Sequence, residues 1–170
     1  MLFRSLQGLT YKTVADANGT GTITWTVTDN GTTNGSADAK SVSDSLSITV
    51  TEVNDAPTRT SAAPSAVSAA EDSANTTAAS LGLSGLTYGK GGGSDESSQT
   101  LTVKITAIPS FVTLWNGTTQ VNVNDTLSVA ALQGLTYKTV ADANGTGTIT
   151  WTVTDDGTTN GSAEIGRAHV

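Results

Sequence analysis

Thr22-Ile23-Thr24-Trp25-Thr26-Val27-Thr28 sets Ile, Trp and Val on alternate residues with threonine between them, and the same seven residues recur as Thr148–Thr154. Successive side chains of a strand point to opposite faces, so a period of two gathers the apolar residues on one side. That is the pattern of a half-buried antiparallel strand. Threonine suits the wet face because its β-branch favours the extended backbone while its hydroxyl stays hydrated. Leu46, Ile48 and Val50 alternate with Ser and Thr in Ser45–Thr51, and Leu101, Val103 and Ile105 alternate in the same way in Leu101–Ala107. Asn18-Gly19, Asn30-Gly31, Asn34-Gly35, Asn116-Gly117 and Gly91-Gly92-Gly93 separate such runs, and these residues tolerate the positive φ of tight turns. Only Val129–Leu132 reads as a turn of helix. The fold expected is an all-β sandwich.

The alternating strand belongs to a longer duplication. Residues 6–38 return as 132–164 at an offset of 126, differing only at Asn30 against Asp156 and Asp38 against Glu164. Solenoid units run about 20–50 residues, so this period is too long for one. It suits a string of whole domains, each near the ~100 residues of an immunoglobulin-like sandwich. The expected division is the C-terminal part of one repeat (6–56) followed by most of the next (57–164). The second copy lacks a counterpart of Ala39–Asn54, closing strand included, so its sheet is expected to show an unpaired edge.

The ends read differently. Met1–Ser5 and Ile165–Val170 resemble translated sequencing adaptor. GTG CTC TTC CGA TCT encodes the first five residues when GTG is a start, and its reverse complement lies in the frame encoding Glu164–His169. Such scars are set aside before fold reasoning. On this reading the chain is a fragment of a longer gene, and His169, the only His, carries no functional meaning.

Composition narrows the function. The 170 residues carry 8 Lys+Arg against 15 Asp+Glu, a net charge of −7, with no Cys. An acidic chain lacks the positive patch that nucleic acid or anionic membrane demands. No apolar run approaches the roughly 18 residues of a membrane span. Without Cys there is no disulfide scaffold and no thiolate metal site. Leu, Ile, Val and Phe total 34, against 32 Thr and 18 Ser, so the core is expected to be thin.

Val50-Thr51-Glu52-Val53-Asn54-Asp55-Ala56-Pro57 reads V-x-x-V-N-D-A-P. It resembles the closing strand and linker of cadherin-like repeats in large bacterial surface proteins, including VCBS-type arrays. Ala69-Ala70-Glu71-Asp72-Ser73 is similar to the acidic start of the first strand of such a repeat, and Ala15–Gly19 followed by Ile23–Asp29 to its later strand. The resemblance covers nearly all of residues 6–164. It implies a Greek-key sandwich and Ca²⁺ at the junctions, where a hard ion takes six to eight oxygens from carboxylates, amides, carbonyls and water. Carried over by position, it implies Asp16 and Asn18 from the first repeat, Glu52, Asn54 and Asp55 from the linker, and Asp95 and Asp155 from the second repeat. Glu71 and Asp142 would serve the following junction. The family's fuller linker is D-x-N-D-N with a D-x-D turn. Here Glu52 and Ala56 depart from the first, and Ser94-Asp95-Glu96 from the second, which implies fewer ligands and weaker binding.

Chemistry of other kinds has little to stand on. Without Cys, and with His only in the tail, no Ser–His–Asp, Cys–His or His-ligated zinc site can be assembled. The pairs Glu71-Asp72, Asp95-Glu96 and Asp155-Asp156 read as turn or metal residues. Neighbours on a strand point apart and make poor acid–base partners. No enzymatic role is expected. Trp25 and Trp151, between Ile and Val on the alternating face, read as core, while Trp115 beside Asn116-Gly117 is the exposed candidate for glycan stacking. The function expected is a structural repeat of an extracellular or cell-surface adhesin-like protein, partnered by neighbouring repeats. The alternatives are a glycan- or protein-recognition module and a non-catalytic domain of a secreted hydrolase.

Overall fold

The computed structural model describes residues 8–159, 162–163 and 167–169. The chain divides into two units, Met1–Glu52 and Val53–Val170. Among the described residues it is all-β apart from one short α-helix and one 3₁₀ turn, and the strands all pair antiparallel. No described helix is long and apolar enough to cross a membrane.

The first unit is a ribbon with a hairpin at its tip. Its strands are β1 (Gly19–Thr28), β2 (Thr32–Thr33), β3 (Ser36–Ala37) and β4 (Ser41–Val50). β1 and β4 pair over ten residues, from Gly19 opposite Val50 to Thr28 opposite Ser41. Asn34 (φ 53°) and Gly35 (φ 82°) are both left-handed and close the β2–β3 hairpin, the conformation that matches strand twist. Asp29 braces its base: Oδ1 accepts the Lys40 and Gly31 amides, each at 2.9 Å. Those two bonds, Lys40's the larger, hold the Asp29 carboxyl below its usual range. Hydroxyl pairs Thr20–Thr49, Thr26–Ser43 and Thr28–Ser41, at 3.0, 2.7 and 2.8 Å, line the polar face.

In the second unit the strands are β5 (Thr58–Arg59), β6 (Ala79–Ser80), β7 (Tyr88–Gly89), β8 (Thr102–Ala107), β9 (Val112–Asn116), β10 (Thr119–Val121), β11 (Thr126–Ser128), β12 (Thr136–Thr139), β13 (Thr150–Thr154), β14 (Thr158–Thr159), β15 (Ser162–Ala163) and β16 (Arg167–His169). One four-stranded sheet runs β10-β9-β12-β6 and another β11-β8-β13-β16. A single core draws Leu114, Val121 and Tyr137 from the first and Val103, Ile105, Trp151 and Val153 from the second, so the unit is sandwich-like. The expected helical turn is α1 (Val129–Gln133): the Ser128 hydroxyl caps it by accepting the Ala131 amide at 3.1 Å, and Leu132 is buried.

Two expectations are corrected. Ala69–Ser73 does not begin a strand. Asp72 is left-handed (φ 60°), and both the amide and the hydroxyl of Ser73 turn back onto the Ala70 carbonyl, at 3.2 and 2.7 Å. That turn ends the extended run, and the unit's first strand is β5, paired with β7. Nor is the edge beyond β13 bare, because β16 sets His169, Ala168 and Arg167 opposite Thr152, Val153 and Thr154. Adding 126 to the β1–β4 pairs Thr26–Ser43, Val27–Val42 and Thr28–Ser41 gives these same positions. Strand pairing uses backbone groups, so an extended tail can take this place whatever its side chains. Of the adaptor-like ends, Met1–Ser5, Ile165, Gly166 and Val170 lie outside the described residues.

The duplicated sequence has two fates. Leu135, Tyr137 and Val153 are 1%, 7% and 0% exposed, whereas their counterparts Leu9, Tyr11 and Val27 are 74%, 68% and 53% exposed. In the second unit β8 and β9 cover them. No counterpart of those strands precedes β1 in the 170 residues.

Candidate metal sites

Two oxygen-rich clusters flank β13, one just after it and one in the loop that leads into it. The first grows from Asp155, which follows the last residue of the strand. Asp155 Oδ1 accepts the Gly157 amide at 3.0 Å and the Asn54 side-chain amide at 2.9 Å. Asn54 in turn accepts from Gln99 Nε2 at 2.7 Å, and its own amide donates to Thr159 Oγ1 at 3.0 Å. The Asp55 amide donates to Glu96 Oε1 at 3.3 Å. These bonds explain why the boundary between the units falls before Val53: Asn54 and Asp55 are fastened to Glu96, Gln99, Asp155 and Thr159 of the second unit.

Glycine makes the approach possible. Any Cβ at Gly157 would overlap the Asn54 side-chain oxygen, and one at Gly91 (φ 122°) would crowd the Asp55 backbone at 2.7 Å. The 3₁₀ turn Ser94–Ser98 carries both Asp95 and Glu96, and Glu96 rather than Asp95 makes the bond to the linker. Glu96 is 3% exposed, and its Oε2 is buried with no hydrogen-bond partner. Burial pushes its carboxyl up, against the opposing bonds from Asp55 and Gln99, and the charges of Asp95 and Asp55 add to the rise. Just outside, Asp156 Oδ1 accepts the Thr100 amide at 2.6 Å, which holds its carboxyl below the usual range.

The second cluster is Glu71, Asp72 and Asp142, whose carboxylate oxygens come within 4.8 Å of one another, all exposed. The Asp142 amide donates to Asp72 Oδ1 at 3.2 Å, and Asn144 Nδ2 donates to Glu71 Oε2 at 3.4 Å. Asp72 and Asp142 are both left-handed, at φ 60° and 58°, a conformation aspartate tolerates better than most side chains. The resemblance assigns Glu71 and Asp142 to one junction; in the structure their carboxylates lie in the same cluster. Asp72 was missed as their companion. Adjacent carboxylates diverge on a strand, and Glu71-Asp72 sits on a turn instead.

The remaining expected ligands are dispersed. Asp16 and Asn18 are exposed in the first unit, and Asp16 (φ 55°) adopts the same turn as Asp142. No counterpart of Glu71-Asp72 exists for them in the 170 residues. Glu52 is half-buried in the first unit.

The donor atoms fit a hard cation. Oxygen alone, with neither imidazole nor thiolate, suits Ca²⁺ or Mg²⁺ rather than zinc or copper. The exposed trio has room for the water that completes a calcium shell, and at the other cluster the partnerless Glu96 oxygen offers a buried negative ligand atom.

Of the two tryptophans expected in the core, Trp151 is there but Trp25 is only half-buried, because the ribbon packs no sheet against it. Trp151 is buried and donates from Nε1 to the Tyr88 hydroxyl at 2.7 Å. Trp115 is half-buried, bonded to Thr113 Oγ1 at 2.9 Å, with Lys138 Nζ 4.8 Å from its ring centre. A cation already occupies one face of the proposed stacking platform. No family model, no curated protein and no solved structure matches the chain.

Proposed function

We propose that the chain is a structural module: tandem cadherin-like sandwich repeats of a long extracellular or cell-surface bacterial protein, stiffened by Ca²⁺ at the repeat ends. The repeats hold adhesive parts away from the surface and carry out no chemistry themselves. The supporting observation is the meeting of Glu71, Asp72 and Asp142 within 4.8 Å, because the repeat resemblance assigns Glu71 and Asp142 to a common junction. The near-identity of the two copies adds weight. A spacer needs many similar links and no unique pocket.

Calcium titration tests this reading. Extracellular modules bind with Kd of about 10⁻⁴–10⁻³ M. At tenfold excess over Kd, one site contributes about 1.4 kcal/mol. For a domain of this size that corresponds to a rise in Tm of about 5 °C. The rise should be lost in the double variant Glu71→Gln/Asp142→Asn, whose exposed side chains leave the core alone. An unchanged Tm and no heat of binding on adding Ca²⁺ would refute the metal role.

A further inference from the structure

The sheet β10-β9-β12-β6 turns one face to the core through Leu114, Val121 and Tyr137. Side chains alternate along a strand, so Ser80, Thr113, Trp115, Gln120, Thr136 and Lys138 stand on the other face. Register gathers them. Trp115 lies opposite Gln120 on one side and Thr136 on the other, Thr136 lies opposite Ser80, and Thr113 lies opposite Lys138. Gln120 and Ser80 are exposed and the other four half-buried. None of the six is acidic, in a chain with 15 Asp+Glu. We propose that this face binds a uronic-acid glycan, with a pyranose ring packed on the Trp115 indole and its carboxylate paired with Lys138 Nζ. This is a recognition function separate from the calcium-stiffened spacer, and it stands without it.

The ammonium decides which sugar. Lys138 Nζ lies 4.8 Å from the Trp115 ring centre, and no carboxylate among the described residues is within ion-pair distance of it. An exposed cation–π contact is weak enough to yield to an incoming ring. A neutral sugar that displaces the ammonium only exchanges one weak contact for another. A uronate gives the displaced ammonium a charged acceptor, and charge-assisted hydrogen bonds are the stronger kind. The flexible four-carbon stem of lysine allows the swing from ring to carboxylate. The indole, by contrast, is already held. Its Nε1 donates to Thr113 Oγ1 at 2.9 Å, and Thr136 Oγ1 donates to the Trp115 carbonyl at 3.3 Å, so little ordering is left for the ligand to impose. The C–H faces of a pyranose suit the negative face of the indole, and Gln120 and Ser80 supply donors and acceptors for its hydroxyls. A single ammonium is too little for nucleic acid, whose binding rests on several.

NMR titration of the full chain with a short oligogalacturonate tests the proposal, in chelator so that no metal bridges the sugar to the carboxylate clusters. The Trp115 indole N–H and the Gln120 and Thr136 amides should shift and saturate with a Kd of about 1 mM, the weak end of the affinity scale. The methyl-esterified oligosaccharide has the same rings without the charge. It should bind about three- to fivefold more weakly, the worth of an exposed ion pair. Lys138→Gln, an exchange on the solvent face, should bring acid and ester to the same affinity. Trp115→Ala should remove the Gln120 and Thr136 shifts for both sugars with β circular dichroism retained. Unmoved Trp115, Gln120 and Thr136 signals at about ten times that Kd, an ester that binds as tightly as the acid, or a Lys138→Gln variant that still prefers the acid would each overturn the proposal.

Discussion

A methyl group at Gly157 would overlap the Asn54 side-chain oxygen, whereas at Gly31, the same position in the first copy, it would meet Asp29 Oδ1 at 3.1 Å. Gly157→Ala should therefore lower stability by about 1–3 kcal/mol, the usual range for overpacking, and push Asn54 from Asp155. Gly31→Ala should be mild, because a side chain at an exposed turn can give a few tenths of an ångström. Denaturant melts of the two variants check this, with each copy serving as the other's control. Glu96 gives the pH prediction. Its folded carboxyl is raised above the ordinary 4.5 by burial, so the folded state holds its proton more tightly than the unfolded chain does. The associated stability is present below the ordinary value and is lost as pH rises through the raised one. In calcium-free buffer Glu96→Gln should flatten that decline and raise Tm at neutral pH, as read from melts over about pH 4–8. A variant that steepens the decline would contradict the burial. Which carboxylates gather was only partly legible in the sequence. Asp142 and Glu71 came from the family resemblance alone. Glu96 and Asp72 depended on a 3₁₀ turn and a left-handed residue, neither of which has a periodic signature.

The duplicated segment separates local from distant causes at the scale of elements. Its turn is local. Asp16 and Asp142 share nearly the same φ, 55° and 58°, and Ala17 and Ala143 bond back to Val14 and Val140 at 3.3 and 3.2 Å in both settings. Strand length and burial are set by neighbours: the residues of ten-residue β1 correspond to five-residue β13 and the irregular stretch before it. The alternation of Ile, Trp and Val was enough to place both strands and the apolar face. It could not tell which copy would find a partner sheet. Trp151→Ala should cost about 3–5 kcal/mol, the usual range for removing a buried aromatic residue, and unfold the second unit. Trp25→Ala, on the half-covered ribbon, should leave that transition where it was, as followed by tryptophan fluorescence and circular dichroism.

Across the whole molecule, acidic charge and scarce apolar residues point the same way. A −7 chain with 34 large aliphatic and Phe residues has little core to spare. Divalent cations at carboxylate clusters would relieve repulsion and add stability. All-β architecture was legible from alternation alone, and the linker's attachment to the second unit was not, because it rests on Gly91 and Gly157 leaving room for Asn54 and Asp55. The spacer reading turns on rigidity between repeats. Small-angle scattering from two uninterrupted 126-residue periods, with and without calcium, measures it directly. Calcium should give a longer maximum dimension and a stiffer, rod-like profile. Identical profiles in calcium and in chelator would contradict it.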